Sequence, residues 1–272
     1  MRTITEPARQ LALVSEVDVA VVGGGSAGVM AAIGAARGGA RTCLIERFAT
    51  LGGALSTGII GHFGNRFRDD QGRPLIGGAP LELLERLIAS EGAPYPDVST
   101  AVDAGASVFF SAAQAAQECL RMVVEAGVEL WLLNSFATAQ PAPGGGWDLI
   151  VENKSGRQAI RAREVVDCSG EADVARAVGA PANINGDRSW GLLFELRHVD
   201  VIQYATYLEK ASATCPEFEP WLAHYLGISR AQLRRDLYWG EWLDGGRRAW
   251  KWRPLIMQAV DAGEFDLIRD LP

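Results

Sequence analysis

Gly23, Gly25 and Gly28 form a Gly-x-Gly-x-x-Gly step between an apolar, β-branched run, Asp18–Val22, and small and apolar residues that continue from Val29 to Arg37. The step restricts the fold because a strand must turn sharply there into a helix that packs back against it. Gly23 allows the tight turn, Gly25 lets a pyrophosphate approach the backbone, and Gly28 lets helix and strand pack closely. Ser26 and Ala27 lie at the helix start, where free amides and the helix dipole favour a diphosphate. Gly38-Gly39 stops the helix, and a second short strand, Thr42–Ile45, ends at Glu46. Glu46 stands 18 positions after Gly28, where a carboxylate can accept hydrogen bonds from ribose hydroxyls. Strand, helix, strand and acid together predict a βαβ unit holding a dinucleotide. The acid favours an unphosphorylated adenosine ribose and argues against NADP. The unit does not by itself decide between FAD and NAD.

At 272 residues the chain has room for about two domains of ordinary size. Leu51–Gly105 is rich in Gly and Pro, with a predicted helix at Leu81–Ser90. A second helix is expected over about Ser107–Ala126, followed by a buried strand, Val128–Leu133. Ser135–Gln140, Trp147–Asn153 and Arg157–Arg163 are separated by PAPGGG and NKSGR turns and predict a β-meander. Its last strand continues through Val165, Val166 and Asp167 into Cys168-Ser169-Gly170, and a helix is expected over Glu171–Val178. Beyond Asn183 the texture changes, and six of the eight tryptophans fall there. Helical stretches are expected at Asp200–Ser212, Glu217–Leu226, Arg230–Tyr238 and Pro254–Ala262, with a domain boundary near residues 181–190.

Three motifs in order resemble the FAD-dependent oxidoreductases whose nucleotide domain is of the glutathione-reductase type. DVAVVGGGSAG resembles that family's opening fingerprint. Glu46-Arg47 followed by LGGALSTG resembles its acidic residue and the Gly-Gly loop along the diphosphate and ribityl chain. VVDCSGEADVARAVGAP resembles its later strand-end motif, usually ATGDGD, with Cys168 and Ser169 in place of Ala and Thr, and Glu171-Ala172 in place of Asp-Gly. The resemblance implies a Rossmann-like α/β FAD-binding domain with a parallel sheet and a β-meander crossover over residues 1–182. A second, mainly helical, incomplete substrate or cap segment would occupy 183–272. It also implies that FAD is the cofactor, that Glu46 binds the ribose, and that Gly52, Gly53 and Ala54 line the diphosphate. Ser56 and Thr57 would approach the ribityl chain. Ala137 would sit near adenine, with Cys168, Ser169 and Gly170 on its other side, and Asp173 is a further candidate.

The reacting side is less marked. His62, after the ribityl loop, can serve as a base for a substrate losing hydride, or simply bond a loop carbonyl. Arg66 can hold a substrate carboxylate or the electron-rich end of a reduced flavin, or lie at the surface beside Asp69-Asp70. The tryptophans suit an aromatic substrate pocket or a core. The basic, aromatic segment Gly245–Arg253 suits single-stranded nucleic acid or an anionic partner, or else a subunit contact or a solvated loop. A formal charge of −7 argues against a general pull toward nucleic acid or anionic membrane, and no apolar run reaches the roughly 20 residues that span a bilayer. Cys43, Cys119, Cys168 and Cys215 are scattered as expected for reduced structural thiols, and no histidine spacing predicts a metal site. The first 16 residues lack the apolar core of a signal peptide, so the expected location is cytoplasmic.

The leading expectation is therefore an FAD-dependent oxidoreductase that accepts a hydride equivalent from an organic small molecule. Members of the family return at their C-terminal end with a closing strand, and nothing after Gly186 resembles it. The second expectation is accordingly a nucleotide-binding subunit or fragment, its sheet completed by a second chain or by self-association. A third is an NAD-binding sensor without flavin.

Overall fold

The computed structural model describes residues 2–4, 7–63, 69, 71, 73–91 and 108–181. Arg66, Cys215 and the whole of 183–272, with its predicted helices, tryptophans and basic segment, lie outside the described residues. The elements below belong to one compact unit except β4, which belongs to a second.

Six strands make one sheet: β1 (Ala12–Val22), β2 (Thr42–Glu46), β5 (Glu129–Leu132), β6 (Ser135–Pro141), β7 (Trp147–Asn153) and β8 (Gly156–Asp167). Their order is β5-β2-β1-β8-β7-β6. The first four are mutually parallel, while β6, β7 and β8 form the antiparallel meander. Two-residue strands β3 (His62–Phe63) and β4 (Val108–Phe109) lie outside this sheet. The helices are α1 (Ser26–Arg37), α2 (Gly78–Glu91), α3 (Ala112–Glu125) and the short α4 (Asp173–Ala177). No helix among the described residues is long and apolar enough to cross a membrane.

The centre of the sheet is buried on both faces, and strand alternation sorts its side chains between two cores. On one face Val21 and Leu44 meet Val29, Ala32 and Ile33 of α1, Leu83 and Leu87 of α2, and Cys119, Met122 and Val123 of α3. On the other, Ala20, Val22, Cys43 and Ile45 pack with Leu149, Val151 and Ile160 of the meander. Fully burying one such aliphatic side chain is worth about 1.5–3 kcal/mol. Ion pairs add a polar seam between the helices: Arg37 meets Glu82 at 2.6 Å, and Arg86 meets Glu82 at 2.7 Å and Glu125 at 2.6 Å.

Several boundaries differ from the sequence expectation, each for a physical reason. β1 begins at Ala12 rather than Asp18, because its half-exposed first half pairs with β8 from Gln158 onward. That half has no continuous apolar run to mark it. α1 starts at Ser26, three residues before the apolar stretch, with Gly25 as its N-cap. α3 starts after Ser111, whose hydroxyl accepts the Gln114 amide at 3.2 Å; Val108 and Phe109 before it are extended. α4 is shorter than Glu171–Val178 because its N-cap, Ala172, adopts a left-handed φ of 58°. The buried strand expected at Val128–Leu133 is instead, among the described residues, the edge strand β5, half-exposed along most of its length, and Leu133 just after it is 62% exposed. An edge strand is open on one side, which an apolar composition alone does not reveal.

Candidate functional site

The carboxyl ends of β2, β1 and β8 lie side by side, because register sets Val22 opposite Ile45 on one flank and Asp167 on the other. β1 leads through α1 to β2, whereas β8 is reached on the opposite flank only after the meander. Open α/β sheets bind ligands at such a reversal of strand order. A cleft of roughly 470 Å³ opens there, walled by the ends of all three strands.

The glycine step forms the floor. Gly23 has φ +100°, and a side chain there would run into the Cys168 carbonyl. A Cβ on Gly28 would strike the Gly23 carbonyl and come within 3.2 Å of Cys168 Cβ. Gly25 differs: nothing lies within 4 Å of the place its Cβ would take, so the backbone there is open toward the cleft. The first bond inside α1 runs from the Val29 amide to the Gly25 carbonyl at 2.9 Å. The Ser26, Ala27 and Gly28 amides therefore have no acceptor within the helix, no side chain caps them, and the first turn carries no acidic residue. That combination suits an anion.

Glu46 closes one side. It is buried, yet both carboxylate oxygens are engaged: Oε2 accepts the Gly24 amide at 2.5 Å and Oε1 accepts the Phe48 amide at 2.8 Å. The residue thus ties the glycine turn to its own following loop. Each oxygen keeps a lone pair for a further donor from the cleft. Beyond it the Gly-Gly loop docks on the glycine step, its Gly52 amide donating to Gly24 carbonyl at 2.9 Å. A Cβ on Gly53 would come within 2.8 Å of Gly25 Cα, so the two loops touch through backbone. Ser56 is buried and donates its hydroxyl to Leu51 carbonyl at 2.6 Å, which makes it a fastener of this loop. Thr57, exposed, lines the cleft together with Gly53 and Ala54.

The opposite wall is Cys168, Ser169, Gly170 and Asp173. The Cys168 amide donates to Val22 carbonyl at 2.8 Å, which locks this wall to β1. Burial raises the Cys168 thiol, and the Asp167 charge beside it adds to the shift. Cys43 and Cys119 are core residues whose thiols burial pushes up to about 12. The three described cysteines are free.

A model of FAD dependent oxidoreductases matches residues 18–243. The chain belongs to that family. Its cofactor is accordingly FAD, and the cleft fits a flavin dinucleotide on the geometry above: an open backbone at Gly25, uncapped amides at the start of α1, and a carboxylate at Glu46 with spare acceptor capacity. No curated protein sequence matches the chain significantly. Among solved structures, OxyS anhydrotetracycline hydroxylase from Streptomyces rimosus is 18% identical over 59% of this chain and 33% of its own, with a TM-score of 0.44. THI4 from Thermovibrio ammonificans is 19% identical over 60% of this chain and 61% of its own, with a TM-score of 0.41. CabE, an aromatic hydroxylase from angucycline biosynthesis, is 21% identical over 61% of this chain and 33% of its own, with a TM-score of 0.43. The chain therefore matches between 33% and 61% of the length of these structures.

In this member of the family Gly23, Gly25, Glu46, Arg47, Gly53, Ala54, Thr57 and Cys168–Gly170 are gathered around one cleft. The structure does not bring Ser26, Ala27, Gly28, Gly52, Ser56 or Ala137 to the lining. Ala137 is the extra residue of a β-bulge between Phe136 and Thr138, and is exposed. Its neighbours Asn134, Ser135 and Phe136 line the cleft in its place, as does Phe48, over which the Arg47 guanidinium sits 4.9 Å from the ring centroid. Nothing in the family motif marks these four residues, although Phe48 stands only two positions after Glu46 and Asn134 sits at the sharp turn between β5 and β6. His62 is half-buried in β3 and is not among the lining residues. Its neighbour Phe63 stacks obliquely on Phe110 at 5.0 Å between ring centroids.

Proposed function

We propose that this chain is the nucleotide-holding part of an oxidoreductase in which FAD accepts a hydride equivalent from an organic small molecule. When bound, the flavin supplies the redox chemistry, while the protein contributes position, dipoles and a dry setting. The observation that carries the reading is the open backbone at Gly25, set between Glu46 and the Cys168–Gly170 wall. In this reading the Ser26, Ala27 and Gly28 amides hold the diphosphate, Glu46 accepts from the ribose hydroxyls, and Arg47 offsets phosphate charge at the rim. Gly53 and Ala54 run along the diphosphate, and Thr57, whose exposed hydroxyl donates to the Gly53 carbonyl at 3.0 Å, keeps its oxygen as an acceptor toward the ribityl chain. Phe48 and Phe136 offer the apolar surface that an adenine needs.

Residues 1–182 are the cofactor domain in this proposal and 183–272 the substrate or cap segment. A cytoplasmic setting agrees with free thiols at Cys43, Cys119 and Cys168. The edge strands β5 and β6 are where a second chain or a second copy would extend the sheet. Light scattering tests that part: a monomer that holds FAD at full affinity removes it.

The deciding experiment is titration of purified protein with FAD, followed by absorbance and melting temperature. A bound flavin spectrum and stabilisation of about 2.7 kcal/mol at a hundredfold excess over Kd are expected. A protein that stays colourless and unstabilised overturns the proposal, and stabilisation by NAD alone replaces it with a flavin-free sensor. His62→Ala tests the base separately. Turnover is expected to fall while FAD affinity stays unchanged, and full turnover removes His62 from the reaction.

A further inference from the structure

We infer that Asp167, which does not itself line the cleft, is a positioning residue for the bound cofactor: its carboxylate shapes the Cys168–Gly170 wall from behind. The inference rests on the FAD reading above and concerns only how that wall is held.

Asp167 is the last residue of β8 and pairs in register with Val22, the last residue of β1. Its Oδ1 accepts both the Ser169 amide at 3.0 Å and the Ser169 hydroxyl at 2.6 Å. Its Oδ2 accepts the Ala175 amide at 2.9 Å. The same Ser169 oxygen that donates to Asp167 accepts the Asp173 amide at 2.8 Å. One carboxylate and one hydroxyl thus take up the amides on both sides of the Gly170–Ala172 turn. Cys168, Ser169, Gly170 and Asp173 all line the cleft, so the turn this network fixes is the cofactor wall itself.

Geometry also explains why the wall needs a dedicated support. Gly170 and Ala172 both have left-handed backbone, at φ +89° and +58°, so the turn has no regular ladder of its own. α4 spans only five residues and buries Val174 alone, so its packing cannot set the turn. The wall must stay within reach of the glycine step, where the Cys168 carbonyl already occupies the space a Gly23 side chain would need. Burial acts to raise the Asp167 carboxyl, but the bonds from Ser169, Ala175 and Val174 outweigh it and hold the group below the usual carboxylate range. The acceptor is therefore charged at neutral pH, the form that holds several amides at once.

The test is the Kd for FAD of the apoprotein, read by flavin fluorescence at a temperature where each variant is folded. Asp167→Asn replaces one acceptor by a donor facing the same amides. It is expected to raise Kd about 10-fold to 100-fold. Ser169→Ala keeps the carboxylate but removes the relay, with a smaller rise expected, and when combined with Asp167→Asn it is expected to add almost nothing. Asp148→Asn is the control. Its bidentate pair with Arg161, at 2.7 and 3.1 Å, lies in the meander away from the cleft. That variant is expected to melt earlier with Kd unchanged. A Kd for Asp167→Asn within twofold of wild type overturns the inference and leaves the FAD reading standing. Should Asp167→Asn not fold, an unchanged Kd in Ser169→Ala overturns it equally. Failure of the wild type to bind FAD overturns both.

Discussion

The loops that follow β2 and β8 flank the same strand and use the same device for opposite ends. Each begins with a carboxylate at its strand's end, Glu46 on one side and Asp167 on the other. Each carboxylate spends both oxygens on backbone amides of the following loop or its neighbour. Glu46, however, lines the cleft and binds across to the glycine step at Gly24, whereas Asp167 sits behind its own turn. One acid therefore joins two loops and keeps capacity for a ligand, while the other makes a single turn rigid. A strand-end acid is not by itself a ligand contact. What decides is whether its free lone pairs face the cleft or the protein.

The substitutions that probe this contrast fall in order of expected effect. Gly28→Val removes the comparison altogether, because the new side chain collides with the Gly23 carbonyl and Cys168, where the glycine step after β1 packs against the loop after β8. A loss of about 3 kcal/mol or more is expected, read as a collapse of the melting transition. Glu46→Gln comes next. It leaves either the Gly24 or the Phe48 amide without its acceptor, so stability should fall by about 1–3 kcal/mol, and under the proposed function it also weakens the acceptor for the ribose. Its Kd for FAD should rise more than that of Asp167→Asn. The reverse order would show that Glu46 is a structural clamp alone.

Acid sensitivity separates the two acids further. Asp167 is held below its ordinary value near 3.8. Its contribution to stability is thus complete above that value and is lost as pH falls through the lower folded-state value. Wild type should exceed Asp167→Asn in stability at pH 7, and the gap should close on acidification below about pH 4. A gap that is constant from pH 7 to pH 2 contradicts the assignment. The smallest effect is a gain. Ala172 carries a left-handed φ of 58°, and Ala172→Gly should relieve it, raising stability by about 0.5–1 kcal/mol in thermal melts.

Much of this region is legible in the sequence because its constraints are local. The Gly23–Gly28 spacing, the helix that follows and the acid at Glu46 all act within a few turns of chain, and the structure adds only boundaries. The meander is legible for the same reason: turn groups and alternating strands mark it, and β7 falls where expected, at Trp147–Asn153. The differences arise where neighbours from distant sequence decide. β5 reads as buried from its apolar residues, but whether a strand has one partner or two is a property of the sheet. Ala137 lies one residue from the lining because a bulge, invisible in composition, shifts the register of β6 against β7. Asp167 reads only as the end of a strand, although an acid two positions before a serine at a strand-to-helix step is a turn signature with a mechanism.

The amino-acid sequence by itself determined the βαβ unit, the family and the side of the sheet where a dinucleotide belongs, since steric freedom at glycine and the spacing of an acid are written residue by residue. Only the tertiary structure decided which atoms those residues face. Pairing β8 with β1 brings Cys168 against Gly23 across more than half of the chain, and that long-range register turns Gly23 and Gly28 into packing sites while leaving Gly25 open. It also gives Glu46 and Asp167 their separate tasks, because a carboxylate's role follows from the amides that the fold carries to it.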